Sequence, residues 1–399
     1  MADEYSFLQE TIKNEAGNKN VRRKKILKLI GCAFLFGIVA SFAFFASKPW
    51  MDDMFEGNPE KVTIPEDEVQ KDEAEPEAVP QVVENEDAYR KMLNELNGIS
   101  RVANRSMTSV AYAQSTQPVT GMIVADNGQE LLIFGAILPD EKSGDIVVTF
   151  CDSKSYTATV KKQDETLGFA VYAVEKDTIS EETWGQIKTA DLGNSNLVKT
   201  GDTMIIFGKS LEGTEVVSYG FAASTEERKE IVDGNLRLIR TDVGGTDMKD
   251  GFMIDMNGNV VGAIHALGEE NPNKMLVTAY SISDIKKEIE RLSNAYAIPY
   301  FGIYGVAVTE EMAELSEQGI TQGIYVKDIV ADSPAMSAGI QMGDIITKVG
   351  ETDVTNLQEY RSAMLQYYAG QQVVIQGSRR GANNEYVEIE FKLVVSTKE

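Results

Sequence analysis

The chain reads TDVGGTDMKDGFMIDMNGNVVGAI from Thr241 to Ile264, and this stretch decides the fold. A glycine-rich turn leads into an apolar strand. A short Asn257-Gly258 hairpin comes next, and a second apolar strand follows from Asn259 to Ala266. Asn-Gly between two apolar runs is typical of a tight β-hairpin turn. The centre of the chain is therefore predicted to be antiparallel β structure.

Short apolar runs separated by turn residues continue on both sides of this hairpin. The predicted strands are 107–113, 119–124, 130–135, 146–151, 156–163 and 169–174, then 203–208, 215–223, 235–242, 251–256, 259–266 and 275–281. An amphipathic helix is predicted at 86–104 and a charged helix from Ser283 to Asn294. Regular short strands of this kind indicate an all-β sandwich or a pair of barrels.

Length and composition limit the class of protein. A chain of 399 residues with 43% hydrophobic residues has room for roughly two or three globular domains. The formal net charge of −24 argues against nucleic-acid binding, which requires basic patches. The only cysteines, Cys32 and Cys151, provide no disulfide framework. His265 is the only histidine, so a single imidazole is available as a base near neutral pH.

The N-terminal part predicts a membrane anchor. The run LIGCAFLFGIVASFAFFA, residues 29–46, carries no charge. Extended back to Ile26 it gives about 21 residues, or about 31 Å of helix, which is enough to cross a bilayer. Basic residues precede the run, whereas only Lys48 follows it closely. The predicted order is a cytoplasmic tail at 1–25, a transmembrane helix at 26–47 and an extracytoplasmic remainder. A cleaved signal peptide is the alternative.

Within the range 48–87, residues 51–87 are acidic and contain prolines at 59, 65, 76 and 80. Such a composition buries too little apolar surface to offset the entropy of ordering the chain. The prediction is a flexible, disordered stalk, with a docking site for a basic partner as the alternative.

Residues 297–396 resemble a PDZ domain. Ser333-Pro334-Ala335, Ala338-Gly339-Ile340 and Gly343-Asp344-Ile345-Ile346 are similar to the string S-P-A-x-x-A-G-[IL]-x-x-G-D-x-I of that family. Gly339 and Gly343 suit backbone turns with positive φ. A helix is predicted from Leu357 to Tyr368, ending at Ala369-Gly370.

Residues 88–296 resemble the serine-protease domain of the HtrA family, a chymotrypsin-like double β-barrel that is followed by a PDZ domain. The segment 241–264 is similar to the family's nucleophile segment, T-D-x-x-x-x-x-G-N-S-G-G-P-L. Residues 201–208 resemble its G-D-x-V-x-A-I-G strand, and residues 218–222 its T-x-G-I-V strand. The expected fold class is mainly β: an N-terminal transmembrane helix, the double barrel and a C-terminal α+β PDZ domain.

The resemblance implies a catalytic triad whose positions are all substituted in this chain. Asp250 stands at the family's serine, and the segment after it is one residue shorter. Ala136 stands at the histidine that follows the strand Gln129–Gly135. Gly168, before Phe169-Ala170-Val171, stands at the aspartate. A carboxylate at residue 250 cannot act as an alkoxide, and its charge opposes a developing oxyanion. No catalytic residue is therefore expected.

Other chemistries find little support in the residues. A lone His265 on a strand is expected to be structural or partly exposed. One histidine and scattered cysteines supply no zinc cage. The acids Asp247, Asp250 and Asp255 fit no calcium-loop pattern and are expected to be solvated. No phosphate-binding glycine loop is present. No cofactor and no metal are predicted.

The PDZ resemblance implies a peptide-binding groove. Its carboxylate-binding loop, Y-[IL]-G-I in the family, corresponds to Tyr300-Phe301-Gly302-Ile303. A PDZ groove adds a peptide as a strand to an open sheet edge, and backbone N–H groups receive the terminal carboxylate. The opposite wall is expected on the helix, where one face carries Leu357, Tyr360, Met364 and Tyr367. Met364 and Tyr367 are equally compatible with the core, and the alternative for the whole domain is a spacer or assembly contact.

The sequence therefore predicts a membrane-anchored pseudoprotease of the cell envelope that binds exposed polypeptide C-termini without cutting them, in protein quality control. The HtrA resemblance also implies a homotrimer or a mixed assembly with an active relative. Two alternatives remain: an active or conditionally active serine endopeptidase, and a structural envelope protein. The single histidine argues against the first, and peptide binding by the PDZ groove would exclude the second.

Overall fold

The computed structural model describes residues 61–67, 86–139, 144–210, 212–244, 248–265, 276–314, 320–382 and 385–398. The predicted tail, the predicted anchor at 26–47 and most of the predicted stalk lie outside these residues. Within the described ranges, no helix is both long enough and apolar enough to cross a membrane.

The first barrel follows an amphipathic helix, α1 (Glu86–Ala103). Its strands are β1 (Met107–Tyr112), β2 (Val119–Asp126), β3 (Glu130–Ala136), β4 (Ile146–Thr149), β5 (Ser155–Asp164) and β6 (Phe169–Glu175). They close in the order β1-β2-β3-β6-β5-β4, with every pairing antiparallel. The alternation of the strands places Val110, Ile123, Ile133 and Val148 in the interior core.

A short helix, α2 (Glu181–Trp184), lies between the two barrels in the sequence. The strands of the second barrel are β7 (Thr203–Ser210), β8 (Glu215–Ile231), β9 (Gly234–Gly244), β10 (Met248–Ile254), β11 (Val260–His265) and β12 (Leu276–Ser281). They close in the order β10-β11-β12-β9-β8-β7. The sequence predicts these strands at nearly the same positions. The exception is β8, which extends eight residues beyond the predicted end at 223 to Ile231 and forms a long hairpin with β9.

Helix α3 (Ile282–Ser293) closes the second barrel and contributes to the core between the barrels. Its buried residues Ile282, Ile285, Ile289 and Leu292 recur at intervals of three and four, so that they form one apolar face. The core between the barrels also contains Phe134, Phe169 and Phe252, whose rings approach one another.

Residues 61–67 of the predicted stalk pack against α3, which departs from the prediction of a disordered segment. Val62 exchanges two hydrogen bonds with the Asn294 side chain, at 3.0 and 2.8 Å, and Ile64 is buried. The Asp67 carboxylate contacts the Lys286 ammonium at 2.8 Å and accepts a hydrogen bond from the Ser283 hydroxyl. The segment is ordered because its apolar and acidic residues find matching partners on one helix.

The C-terminal part has an open antiparallel sheet with short helices. It begins with β13 (Pro299–Tyr300), β14 (Ile303–Val308), α4 (Glu310–Glu314), β15 (Gly323–Ile329), α5 (Pro334–Ala338), β16 (Ile345–Val349) and β17 (Thr352–Asp353). It ends with α6 (Leu357–Met364), β18 (Gln372–Arg380), β19 (Tyr386–Val394) and β20 (Ser396–Thr397). The sheet order is β14-β15-β16-β18-β19, so β14 is an edge strand. Ser333 caps α5 through the Met336 N–H, and Gly339 ends it at φ 84°.

Helix α6 ends at Met364, four residues before the predicted end at Tyr368. The N–H groups of Gln366 and Tyr367 turn back to carbonyls three residues earlier, which tightens the chain beyond the helix. The Leu365 carbonyl accepts a hydrogen bond from the Arg291 guanidinium of α3 at 2.5 Å. This tertiary contact ends the helix, and Tyr367 consequently lies beyond it.

Candidate functional site

Asp250 lies inside a paired strand rather than in an open loop. Residues of β10 pair on both sides, with Lys209 of β7 and His265 of β11 opposite Asp250. The Asp250 carboxylate is 1% exposed, and its Oδ1 accepts a hydrogen bond from the Thr120 N–H at 2.7 Å. This contact joins the second barrel to β2 of the first. The position that resembles the family's nucleophile therefore holds a buried carboxylate that cross-links the barrels.

Ala136 and Gly168 lie close together at the mouth of the first barrel. Ala136, the last residue of β3, pairs with Phe169 of β6, and its carbonyl accepts a hydrogen bond from the buried Tyr172 hydroxyl at 2.8 Å. Gly168 comes directly before β6 and has a φ of 76°. Neither residue carries a side chain that could exchange a proton at neutral pH.

The imidazole of His265 fills the space beside Gly168. A Cβ at residue 168 would lie 2.6 Å from Cδ2 of His265 and closer still to Nε2. The ring also packs at 5.6 Å from the ring of Phe169. The aspartate that the resemblance leads one to expect at position 168 is therefore sterically incompatible with His265 in this position. Gly168 and His265 are therefore sterically coupled.

The environment of His265 favours the neutral ring. Burial lowers the pKa of the imidazole, and the cations of Lys229 and Lys249 lower it further. Nδ1 is buried and has no hydrogen-bond partner among the residues that the structure describes. His265 is therefore a partly buried ring beside Gly168 whose neutral form is favoured.

The acids near the hairpin differ from the prediction of solvated carboxylates. Asp250 is buried, and burial raises its pKa although Thr120, Lys249 and Lys209 oppose the shift. Asp255 caps the hairpin turn by accepting hydrogen bonds from the N–H groups of Asn257 and Asn259. Asp247 lies outside the described residues. Among the described residues, no cluster of three or more metal-ligating side chains occurs.

The predicted carboxylate-binding loop has a carboxylate of this chain bound to it. Oδ2 of Asp233 accepts hydrogen bonds from the N–H groups of Phe301 and Gly302 at 2.8 and 2.9 Å. Oδ1 accepts from the N–H of Ile303 at 2.9 Å and from the Tyr360 hydroxyl at 3.0 Å. The main-chain N–H of Asp233 donates to the Ile303 carbonyl at 2.7 Å. Asp233 lies in the turn between β8 and β9 and is 2% exposed.

The residues predicted on the opposite wall belong mostly to the core. Tyr360 and Met364 are buried at 0% and 1% exposure, and both pack in the hydrophobic core of the C-terminal domain. Leu357 is also buried, but it lines a cavity as well. Tyr367 is partly buried against the same core. Leu357 therefore faces the groove, whereas Tyr360 and Met364 of α6, and Tyr367 beyond it, belong mainly to the interior.

A groove does exist between the edge strand β14 and the start of α6. It is a cavity of about 460 Å³ lined by Gly305, Val306 and Ala307 on one side and by Asn356, Leu357 and Gln358 on the other. Arg228, Glu230 and Asn235 of the β8–β9 hairpin form its third wall. The edge of β14 that faces the groove carries no paired strand among the described residues.

Two features of this region could not be read from the sequence pattern. Val232-Asp233-Gly234 has the composition of an ordinary turn, and its partner loop lies 68 residues away in the chain. Gly168 and His265 are 97 positions apart by their numbers. Only the packing of the two barrels brings them together.

Comparisons with known proteins agree with this architecture. Residues 302–393 match the family model for the PDZ domain. The mitochondrial serine protease HTRA2 of Drosophila erecta is 24% identical over 308 residues, covering 69% of this chain and 68% of that protein. HTRA2 of Drosophila virilis is 23% identical over 313 residues, covering 68% and 70%.

Solved structures show the same fold. The HtrA-type protease AlgW with a tripeptide has a TM-score of 0.55 at 18% identity, covering 76% of this chain and 97% of its own. The serine endoprotease from Yersinia pestis has a TM-score of 0.51 at 19% identity, covering 76% and 98%. The chain is thus a relative of the HtrA-type serine proteases, with a protease-like double barrel and a C-terminal PDZ domain.

Proposed function

We propose that this chain is an HtrA-type pseudoprotease that binds polypeptide C-termini outside the membrane and does not cleave them. The observation that carries the proposal is the contact between His265 and Gly168. The only imidazole of the chain occupies the place of the triad carboxylate, and a buried aspartate occupies the place of the nucleophile.

Acyl transfer requires a nucleophile, a base that removes its proton and donors that stabilise the oxyanion. Asp250 offers no hydroxyl, and its carboxylate is held by the Thr120 N–H. Ala136 offers no base. Restoring any one of these groups by mutation would still leave the others missing. No single substitution is therefore expected to produce activity.

Peptide binding is proposed from the PDZ domain and the open edge of β14. The groove between β14 and α6 has the form that strand addition requires. The related protease AlgW has been solved with a tripeptide and with a decapeptide. Leu357 and Val306 line the groove, which favours a ligand with apolar side chains near its C-terminus.

The cellular setting is proposed from the sequence alone. The apolar run at 26–47, with basic residues before it, supports a single-pass anchor and an extracytoplasmic location for the barrels and the PDZ domain. Misfolded or secreted proteins with exposed C-termini are the proposed partners. A homotrimer, or an assembly with an active relative, is proposed from the HtrA resemblance.

The experiment is cleavage of casein by the full chain between pH 5 and 9, combined with labelling by a serine-reactive phosphonate. Neither cleavage nor labelling is expected. The matched variant combines four changes. Ala136→His, Gly168→Asp and Asp250→Ser introduce the family's triad residues, and His265→Ala removes the ring that would overlap a side chain at residue 168. Asp250→Ser alone serves as a second comparison. Cleavage by the wild type that disappears when the labelled serine is replaced would overturn the proposal.

A structural envelope protein is the second candidate, because Asp233 already occupies the carboxylate-binding loop. A chain of that kind would bind no peptide. Fluorescence polarisation with labelled peptides that have a free C-terminal carboxylate distinguishes the two functions.

A further inference from the structure

The contacts of Asp233 reproduce those that a bound C-terminus would make. A peptide in a PDZ groove presents a carboxylate to successive backbone N–H groups and adds its main chain to the neighbouring strand. Here the carboxylate of Asp233 accepts hydrogen bonds from the N–H groups of Phe301, Gly302 and Ile303. Its own N–H donates to the Ile303 carbonyl at 2.7 Å, as the last residue of an added strand would do.

The loop is shaped for a carboxylate and is not an accidental neighbour of one. Gly302 has a φ of 91°, and a Cβ there would collide with Ser333, so the backbone can turn its N–H groups inward only with glycine at this position. Tyr360 adds a fourth donor from α6. Both oxygens of Asp233 are satisfied, and the three loop N–H groups that a terminal carboxylate would use are already taken.

The hairpin that delivers Asp233 is held in place by further contacts. Arg361 of α6 donates to the Asp233 carbonyl at 3.4 Å. Lys327 of β15 pairs with Glu230 of β8 at 2.9 Å, and both side chains are largely exposed. Beyond Asp233, the groove beside β14 remains a cavity, with the same hairpin as one wall. Asp233 occupies the end of the groove that would receive the carboxylate of a peptide. The part of the groove that would receive the upstream residues of the peptide is open.

We propose that Asp233 is an internal ligand of the PDZ domain, and that a polypeptide C-terminus binds only by displacing it from the loop. This inference rests on the proposed function for the identity of the external ligand. It adds a competition between a hairpin of the second barrel and the external C-terminus. Occupancy of the groove is thereby linked to the position of the β8–β9 hairpin.

The test uses the full chain and the variant Asp233→Gly. Asp233 has a φ of 60°, which glycine adopts without strain, so this change removes the carboxylate and preserves the turn. Asp233→Asn, which keeps one acceptor oxygen, is the second variant. Glu226→Ala removes an exposed acid from the same hairpin and is the matched control.

The first measurement is hydrogen exchange of the amides of residues 301–303. In Asp233→Gly these amides are expected to exchange faster than in the wild type, and sodium acetate, but not sodium chloride, is expected to slow them again. Glu226→Ala should behave like the wild type. Unchanged exchange in Asp233→Gly, or no effect of acetate, would overturn the inference.

The second measurement is the binding of a fluorescein-labelled hexapeptide library that ends in valine with a free carboxylate. The amidated library is the control. The free-carboxylate library is expected to bind Asp233→Gly about tenfold or more tightly than the wild type. In this variant the peptide carboxylate no longer competes with the carboxylate of Asp233 for the loop. Asp233→Asn should lie between the two.

The outcomes separate the inference from the proposed function. Equal affinity of the wild type and Asp233→Gly would refute displacement but leave peptide binding standing. Acetate protection without peptide binding by any variant would support Asp233 as the internal ligand, and it would overturn the proposal that the domain binds polypeptide C-termini.

Discussion

Gly168 and His265 constrain each other because the imidazole occupies the space that a side chain at residue 168 would need. The imidazole lies against the Cα of residue 168, so any side chain at that position has to move it. The ring is also fixed on the other side by Phe169. Because a protein core is close-packed, a displaced ring has to find new space among buried residues. The two positions therefore have to change together.

This coupling predicts a non-additive pair of mutations. Gly168→Ala should lower the free energy of unfolding by about 2–4 kcal/mol, from backbone strain at positive φ and from overlap with the imidazole. Adding His265→Ala should remove the overlap and leave a coupling energy of about 1–2 kcal/mol. Urea unfolding followed by tryptophan fluorescence measures these values.

The control for this pair is Gly128→Ala. Gly128 has a φ of 90° and no atom within 4 Å of the Cβ position, so alanine brings strain without a clash. It should cost about 1–2 kcal/mol and show no coupling to His265→Ala. Additive effects of Gly168→Ala and His265→Ala would mean that the imidazole does not occupy the described position.

The buried carboxylate of Asp250 predicts a pH-dependent stability. Burial raises its pKa above the usual value of 3.8, so the folded state binds more protons than the unfolded chain between the two pKa values. Ionised Asp250 therefore destabilises the protein as the pH rises through this window. Asp250→Asn keeps an acceptor for the Thr120 N–H and should stabilise the protein by about 1 kcal/mol at pH 8.

The gain from Asp250→Asn should shrink as the pH falls toward the usual carboxyl pKa of 3.8, because the folded wild-type protein binds the proton more readily than the unfolded chain. Melting temperatures of both proteins across pH 4–8 measure the effect. Asp177→Asn, which changes an exposed acid, should shift stability by less than about 0.5 kcal/mol at either pH. A destabilising effect of Asp250→Asn at pH 8 would show that the charge of Asp250 is compensated.

Among the secondary-structure elements, α3 contacts both the core between the barrels and residues 61–67. Its apolar face joins the core between the barrels, and its polar face holds residues 61–67. The Lys286 side chain is 5% exposed and the Asp67 side chain is 13% exposed, so their ion pair is largely shielded from solvent. Loss of one partner of such a pair leaves an uncompensated buried charge.

Asp67→Ala is therefore expected to lower the free energy of unfolding by about 2 kcal/mol. The double variant Asp67→Ala with Lys286→Met should recover most of the loss, because no charge is then left buried. Glu66→Ala is the control, since Glu66 is 61% exposed and its contact with Lys287 is long, at 3.7 Å. Urea unfolding measures all three, and an equal effect of Asp67→Ala and Glu66→Ala would contradict the docking of this segment.

The elements that the sequence predicts well are those with local signals. The barrel strands follow from short apolar runs between turn residues, and the positive φ expected at Gly339 is observed where α5 ends. The end of α6 is missed because the Arg291 guanidinium of another helix determines it. The docking of residues 61–67 is missed because the acidic composition of 48–87 conceals a short segment with partners on α3.

The candidate site shows the same division. The assignment of Ala136, Gly168 and Asp250 to the family's triad positions stays a prediction from the resemblance. Three features of the site depend on residues that are distant in the chain: the burial of Asp250, the contact of His265 with Gly168, and the hydrogen bonds from the PDZ loop to Asp233. No local pattern encodes them, because each requires the packed barrels or the docked PDZ domain.

At the scale of the whole molecule, Arg361 links the PDZ domain to the barrels. Its guanidinium, on α6 of the PDZ domain, donates to the Glu288 carboxylate of α3 at 2.6 Å and to the Asp233 carbonyl of the barrel hairpin. Arg361 and Glu288 are 7% and 3% exposed. The raised pKa of Glu288 comes from burial, and Arg361 opposes it. One cation therefore compensates a buried acid between the two domains.

This arrangement predicts that the PDZ domain and the barrels unfold together in the wild type and separately without Arg361. Arg361→Met retains the apolar stem, but it leaves Glu288 buried without its cation, at a cost of about 3 kcal/mol. Differential scanning calorimetry of the full chain should resolve one transition in the wild type and two in Arg361→Met. Adding Glu288→Gln should bring the two transitions back together, since the uncompensated charge is then removed. Lys327→Met breaks the exposed ion pair across the same boundary and should leave a single transition. If Lys327→Met and Arg361→Met had the same effect, the buried pair would not be what couples the domains.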